Sequence, residues 1–187
     1  MSTGWKILDQ SMPYFVTFQV VRWIDIFTRK KVRDEFIRNI RFCQKNKGLE
    51  LYAYVIMSNH AHFIMRSSND NLSGVIKDLK SYTSKAVIDI LIVEEQNKRD
   101  WIFPLLLEAG KNNSRNKYHQ FWTQDNHPVE LYNNEIIMQK LNYIHQNPVR
   151  AGIVEKPEDY LLSSARNYAD MEGILDVIKL TITQSKL

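Results

Sequence analysis

Cysteine is nearly missing from this chain: Cys43 stands alone among 187 residues. A single thiol forms no internal disulfide, which makes a reducing cytoplasm the expected compartment. It also leaves no cysteine cluster to complete a structural zinc site. Cys43 lies in a helical pattern, where it reads as a small buried apolar residue rather than a nucleophile. No apolar run approaches the ~20 residues of a membrane-spanning helix. The opening residues, Met1 to Lys6, lack the basic region and apolar core of a signal peptide. No membrane partner is expected. Internal repeats, low-complexity tracts and evident linkers are also missing. The expectation is a single domain over residues 1–187 with a sizeable core.

What remains is an ordinary globular composition, 44% hydrophobic and 25% charged, with a net charge of +4. That balance permits nucleic-acid binding without demanding it. The cations cluster locally. Arg29, Lys30, Lys31 and Arg33 form one patch, and Lys77, Lys80 and Lys85 another. Each patch also fits a solvated helix face.

Residues 14–20 are β-branched and aromatic and predict a strand. Val32, Phe36, Ile40 and Cys43 recur at helical spacing from Thr28, a candidate N-cap, to Gly48, a candidate stop. Residues 49–57 and 60–66 predict two strands joined by a Ser58–Asn59 turn, hence an antiparallel hairpin. A helix is expected over about 71–95. An inserted excursion of less regular character follows at about 94–116, then a strand over 118–123. The clearest helix runs from Asn134 to Asn147: Asn134 can cap it and Pro148 should end it. A C-terminal extension starts at about residue 157. The element order predicts an α+β fold, simplest as a ferredoxin-like (RRM-like) antiparallel sheet with helices packed on one face.

His60-Ala61-His62 is the most informative triplet. Strand alternation puts His60, His62, Ile64 and Arg66 on one face and Ala61, Phe63 and Met65 on the other. Two neutral imidazoles at i and i+2 can reach one cation and leave coordination positions open for water and phosphate. On the 134–147 helix, Gln139, Tyr143 and Asn147 share a face, with Lys140 beside them. Tyr143 then becomes a candidate nucleophile and the Asn147 amide oxygen a candidate third ligand. Competing readings stay open. The histidines can be structural, Tyr143 a packed phenol and Asn147 a helix terminus; Tyr118 and Tyr132 compete as nucleophile.

Residues 57–64, Met-Ser-Asn-His-Ala-His-Phe-Ile, resemble the histidine–hydrophobe–histidine (HUH) motif of the IS200-like single-tyrosine transposases. Residues 143–152, Tyr-Ile-His-Gln-Asn-Pro-Val-Arg-Ala-Gly, resemble a second block of the REP-associated tyrosine transposase branch. Leu79 to Lys85, Phe121-Trp122 with His127, and Ser163 to Tyr168 resemble further blocks, in the family's order. Ala61 departs from the bulkier residue often found at the centre of the motif, and the 94–116 excursion is longer than in compact members.

The resemblance implies Mg²⁺ or Mn²⁺ held by His60, His62 and Asn147, with Tyr143 as nucleophile. It implies cleavage of single-stranded DNA through a 5′-phosphotyrosine and then rejoining, at hairpin DNA, without ATP. No P-loop is present. Phosphate contacts are expected from Lys80, Thr83, Ser84, Lys85, Arg29, Lys30, Lys31 and Arg33, and base stacking from Trp122 or Tyr82. A homodimer is one expectation drawn from insertion-sequence relatives. A relaxase or replication-initiator-like HUH nuclease is the enzymatic alternative. A non-catalytic ferredoxin-like nucleic-acid-binding protein is the other.

Overall fold

The computed structural model describes residues 6–95, 101–111, 118–124 and 126–180. Four strands, β1 (Tyr14–Gln19), β2 (Leu49–Ile56), β3 (His60–Ser67) and β4 (Val129–Glu130), form one sheet in the order β2-β3-β1-β4. All pairings are antiparallel. With helices α1 (Lys30–Asn46) and α2 (Leu72–Glu95) placed after β1 and β3, this is the ferredoxin-like arrangement. Helix α3 spans Ile102–Lys111, α4 spans Asn134–Arg150 and α5 spans Ala165–Tyr168.

The sheet separates two apolar layers. Tyr14, Val16 and Phe18 of β1, and Ala61, Phe63 and Met65 of β3, join Val32, Phe36 and Ile40 of α1 and Leu72, Val75 and Leu79 of α2. Phe15, Val55 and Ile64 point the other way and meet Leu141 and Ile144 of α4. The expected single helical face therefore holds for α1 and α2, while α4 covers the opposite face. The reason lies in the strands: β1, β2 and β3 are apolar on both faces along much of their length, and a sheet of that kind must be covered twice.

Helix boundaries carry several corrections. Thr28 does not cap α1; its hydroxyl donates to Asp25 O instead, and Arg29 holds the cap position. Asn133, not Asn134, caps α4 by accepting from Ile136 N at 2.8 Å. Pro148 lies inside α4 rather than after it. It lacks the N–H that would reach the Ile144 carbonyl, yet its ring is buried and the helix runs on to Arg150. Gly152, at φ 69°, then ends the helix in a left-handed turn.

Two other expectations fail locally. Residues 118–123 form no regular strand: Trp122 makes one isolated bridge to Val20, and the fourth strand is Val129–Glu130. Phe121 and Trp122, adjacent in sequence, both enter the α1/α2 core, which a pleated strand with alternating side chains does not allow. The excursion contains the helix α3, whose Pro104 sits in the first turn where its missing N–H costs nothing. Residues 96–100 and 112–117 of that excursion lie outside the described residues.

Residues beyond 157 are tied to the sheet. Ile56 N donates to Leu162 O and Ser164 N to Tyr54 O, both at 2.9 Å, with a bridge between Val55 and Ser163. This segment runs along the outer edge of β2.

Gly48, which follows α1, sits at φ 69°, and a Cβ there would lie 2.5 Å from Ser68 Oγ. Gly48→Ala is expected to cost about 1–2 kcal/mol, read as a lower urea midpoint with unchanged slope. An unchanged midpoint would mean that the turn relaxes freely.

Candidate active site

His60 and His62 project from β3 onto the α4 side of the sheet, their ring centroids 4.8 Å apart. Tyr143, from the second half of α4, meets His62 edge-on at 5.1 Å. Asn147, one turn further along the same helix face, lies close enough to His60 to act on its imidazole. The residues that sequence spacing aligned are thus brought together in space. Tyr118 and Tyr132 are exposed and belong elsewhere. Tyr118 lines a cavity with Ser84 and Lys85 of α2, on the far side of the sheet. Tyr132 precedes α4.

Packing fixes the tyrosine. Phe15 of β1 stacks on His62 at 5.4 Å and meets the Tyr143 ring edge-on at 5.9 Å. The Arg150 guanidinium lies 5.5 Å from the Tyr143 ring centroid, and Lys140 Nζ lies 4.8 Å from that of Phe15. Two cations therefore flank the ring cluster, which favours an anion such as a phosphodiester beside it.

Neighbours orient both imidazoles. His60 Nδ1 is 2.8 Å from Asn59 Oδ1. Asn59 Nδ2 donates to Trp23 O at 3.3 Å and Asp25 Oδ1 at 2.9 Å, which fixes the amide orientation. His60 Nδ1 must then carry the proton, leaving the Nε2 lone pair for a ligand. His62 Nδ1 bonds Thr17 Oγ1 at 2.9 Å, directly across the β1–β3 register. Thr17 and Asn59 escaped the sequence reading. Thr17 becomes visible once β1 is paired with β3, whereas Asn59 looked like a turn residue and nothing more.

Burial disfavours the charged imidazolium. It lowers the His60 pKa, with the neighbouring Asn147 amide pulling partly back. It pushes His62 down to about 3, helped by the neighbouring charges of His60 and Lys140. Neutral imidazoles are the metal-binding form. Among the described residues no three of His, Cys, Asp and Glu converge on a possible metal site. A divalent cation would accordingly need the Asn147 oxygen beside the two imidazoles. That N₂O donor set, with its ligands oriented and neutral, fits an open Mg²⁺- or Mn²⁺-type site.

A third imidazole, the half-buried His145, bonds Ser164 Oγ at 3.0 Å, and desolvation lowers its pKa to about 4. Both His62 and His145 thus have folded values below the ~6.5 of an unfolded chain. The unfolded chain binds protons first, so stability is complete above that value and is lost as pH falls below it. From pH ~7 to ~5 each is expected to cost on the order of 2 kcal/mol in metal-free protein. Urea midpoints measured across that range should fall. A flat profile would contradict the burial of both rings.

The expected nucleic-acid contacts divide. Lys30, Lys31 and Lys85 are exposed, and Arg29, Arg33 and Ser84 are half-buried. Lys80 Nζ donates to Thr123 O and Asn126 Oδ1 at 2.9 and 2.6 Å, tying α2 to the chain before β4. Thr83 and Trp122 are corrections. Thr83 is fully buried, four residues from both Leu79 and Val87 on the apolar stripe of α2. Trp122 is 6% exposed, with Nε1 donating to Lys80 O at 3.1 Å, so it has no face to offer a base. Tyr82 is half-exposed and packs edge-on against Phe42.

The site thus sets an H-x-H strand of a ferredoxin-like sheet against a tyrosine-bearing helix. Residues 11–101 match the family described as "Transposase IS200 like". The fold of the chain is similar to the solved structure of a REP-associated tyrosine transposase bound to a REP hairpin, at 17% identity and TM-score 0.64. That similarity covers 100% of this chain and 99% of the other. A putative transposase from Deinococcus radiodurans R1 is 16% identical, with TM-score 0.44, over 77% of this chain and 95% of that one. No curated protein matches the chain. Among the described residues no helix is long and apolar enough to cross a membrane.

Proposed function

We propose that the chain cleaves and rejoins single-stranded DNA next to a hairpin, as a REP-associated type of HUH transposase. The observation that carries this reading is the Tyr143 ring 5.1 Å from His62, whose own ring lies 4.8 Å from that of His60, with Asn147 one turn along the same helix. Tyr143 Oη attacks a backbone phosphorus, and the bond from phosphorus to the 3′ oxygen breaks. The phenol gives up its proton to solvent and the departing 3′ oxygen gains one. One phosphodiester replaces another, so the step needs no nucleotide cofactor. The 5′-phosphotyrosine is then attacked by a 3′-hydroxyl, which reseals a strand and restores Tyr143.

His60, His62 and Asn147 would hold Mg²⁺ or Mn²⁺. A bound cation would polarise the phosphoryl oxygen and stabilise its developing charge. Lys140 and Arg150 add fixed positive charge around the phenol, and Phe15 holds its ring. The exposed cations at the start of α1 and on α2 supply sequence-independent attraction to the DNA backbone.

The test is incubation with labelled hairpin DNA bearing single-stranded flanks of varied sequence, in Mg²⁺ or Mn²⁺. A covalent protein–DNA adduct stable to denaturant is expected. Hairpin binding with no adduct across the flank library would instead mark a binding protein.

A further inference from the structure

Trp23 stands in the open beside the candidate site. It is 63% exposed, and its ring meets His60 edge-on at 6.2 Å. The rings of Tyr143, His62, His60 and Trp23 form a continuous series, with Trp23 at its solvent end.

The backbone here is strained. Arg22 and Trp23 have φ of 57° and 55°, a left-handed conformation uncommon for non-glycine residues and costly for a bulky one. Val21 and Ile24, on either side, are buried anchors. Asn59 Nδ2 grips Trp23 O and Asp25 Oδ1 while Asn59 Oδ1 holds His60. The same amide thus fixes the loop relative to the imidazole. Arg22 pairs with Glu108 of α3 at 3.0 Å, tying down the loop's other end. Strain held in place by anchors on every side is a mark of a functional segment. Its product is an indole held out in solvent next to the candidate chemistry.

We propose that Trp23 is a stacking platform for an unpaired nucleobase adjoining the phosphate at the His60–His62–Tyr143 site. The inference rests on the single-stranded DNA reading above. An indole face suits any base, so the contact positions the strand without reading its sequence. It supplies what cations at the protein surface do not: a fixed distance between one base and the reacting phosphorus.

The experiment uses the Tyr143→Phe protein without added metal, so that no covalent step intervenes. The probe is a fluorescent oligothymidine roughly twelve nucleotides long, read by anisotropy. Adding Trp23→Ala is expected to weaken binding roughly 5- to 150-fold, the equivalent of one base–aromatic stack. Trp23→Phe should retain most of the affinity. Moving a single abasic position along the probe should reveal one site that costs the Trp23 protein as much as Trp23→Ala does. The same abasic probe should cost the Trp23→Ala protein nothing further. Equal affinities overturn the proposal, as does a Trp23→Ala loss that persists at every abasic position, or no binding by the Trp23 protein. Failure of the adduct test leaves this cycle intact, because the cycle never uses the Tyr143 hydroxyl.

Discussion

Replacing Tyr143 by phenylalanine is expected to abolish the covalent protein–DNA adduct, lowering its yield on the order of 10³-fold or more. The ring contacts with His62 and Phe15 and the Arg150 cation–π contact need no hydroxyl, so the substitution leaves the packing of α4 in place. Folding and DNA affinity should be unchanged while the proposed nucleophilic oxygen is gone. Denaturing gel electrophoresis of labelled DNA reads the adduct, and anisotropy reads the affinity. An adduct that survives in Tyr143→Phe and disappears in Tyr118→Phe would transfer the nucleophile to a different face of the sheet. No rearrangement of side chains on α4 accommodates that result.

The second large effect concerns the cation. His62→Ala removes one of two imidazoles and is expected to lower Mn²⁺ affinity at least about 100-fold, with adduct formation falling in parallel. Thr17→Val keeps the imidazole and removes only its orienting partner at 2.9 Å. It should cost about 10- to 100-fold in affinity, the usual range for an outer partner of a ligand. Titration calorimetry with Mn²⁺ separates the two. Equal affinity in His62→Ala and the unaltered protein would remove His62 from the ligand set. Equal loss in both variants would mean that imidazole orientation is nearly everything.

The sheet and the site were legible to different degrees. The β2–β3 hairpin, α1 and α2 follow from periodicity because both helices carry a clean apolar stripe and both strands a β-rich run. The face assignment of His60 and His62 needed only strand alternation, and their meeting with Tyr143 and Asn147 needed only helix spacing. What was not legible depended on tertiary context. Pro148 reads as a stop, yet its ring is buried and α4 runs past it to Arg150. Phe121-Trp122 reads as strand because aromatics favour strands, but both rings are drawn into one core. Thr83 reads as a polar contact because threonine has a hydroxyl, although its spacing on α2 already marks it as interior. Trp23 carried no pattern at all. Its significance comes from two positive φ values and a hydrogen-bonded neighbour 36 residues away in sequence, neither of which a linear reading contains.

The segment hydrogen-bonded along β2 also limits how two copies of this chain can meet. A strand edge with free amides and carbonyls is a template for another chain. Here Leu162 to Ser164 already occupy the outer edge of β2, with Tyr160 donating to Ile56 O and Tyr168 to Tyr52 O. At the opposite margin, β4 offers only Val129 and Glu130. A dimer built by fusing two sheets through β2 would first have to peel off the chain's own tail. That tail also carries Ser164, which bonds His145 on the helix of Tyr143. Self-association by that route would therefore loosen the support of the helix that carries Tyr143.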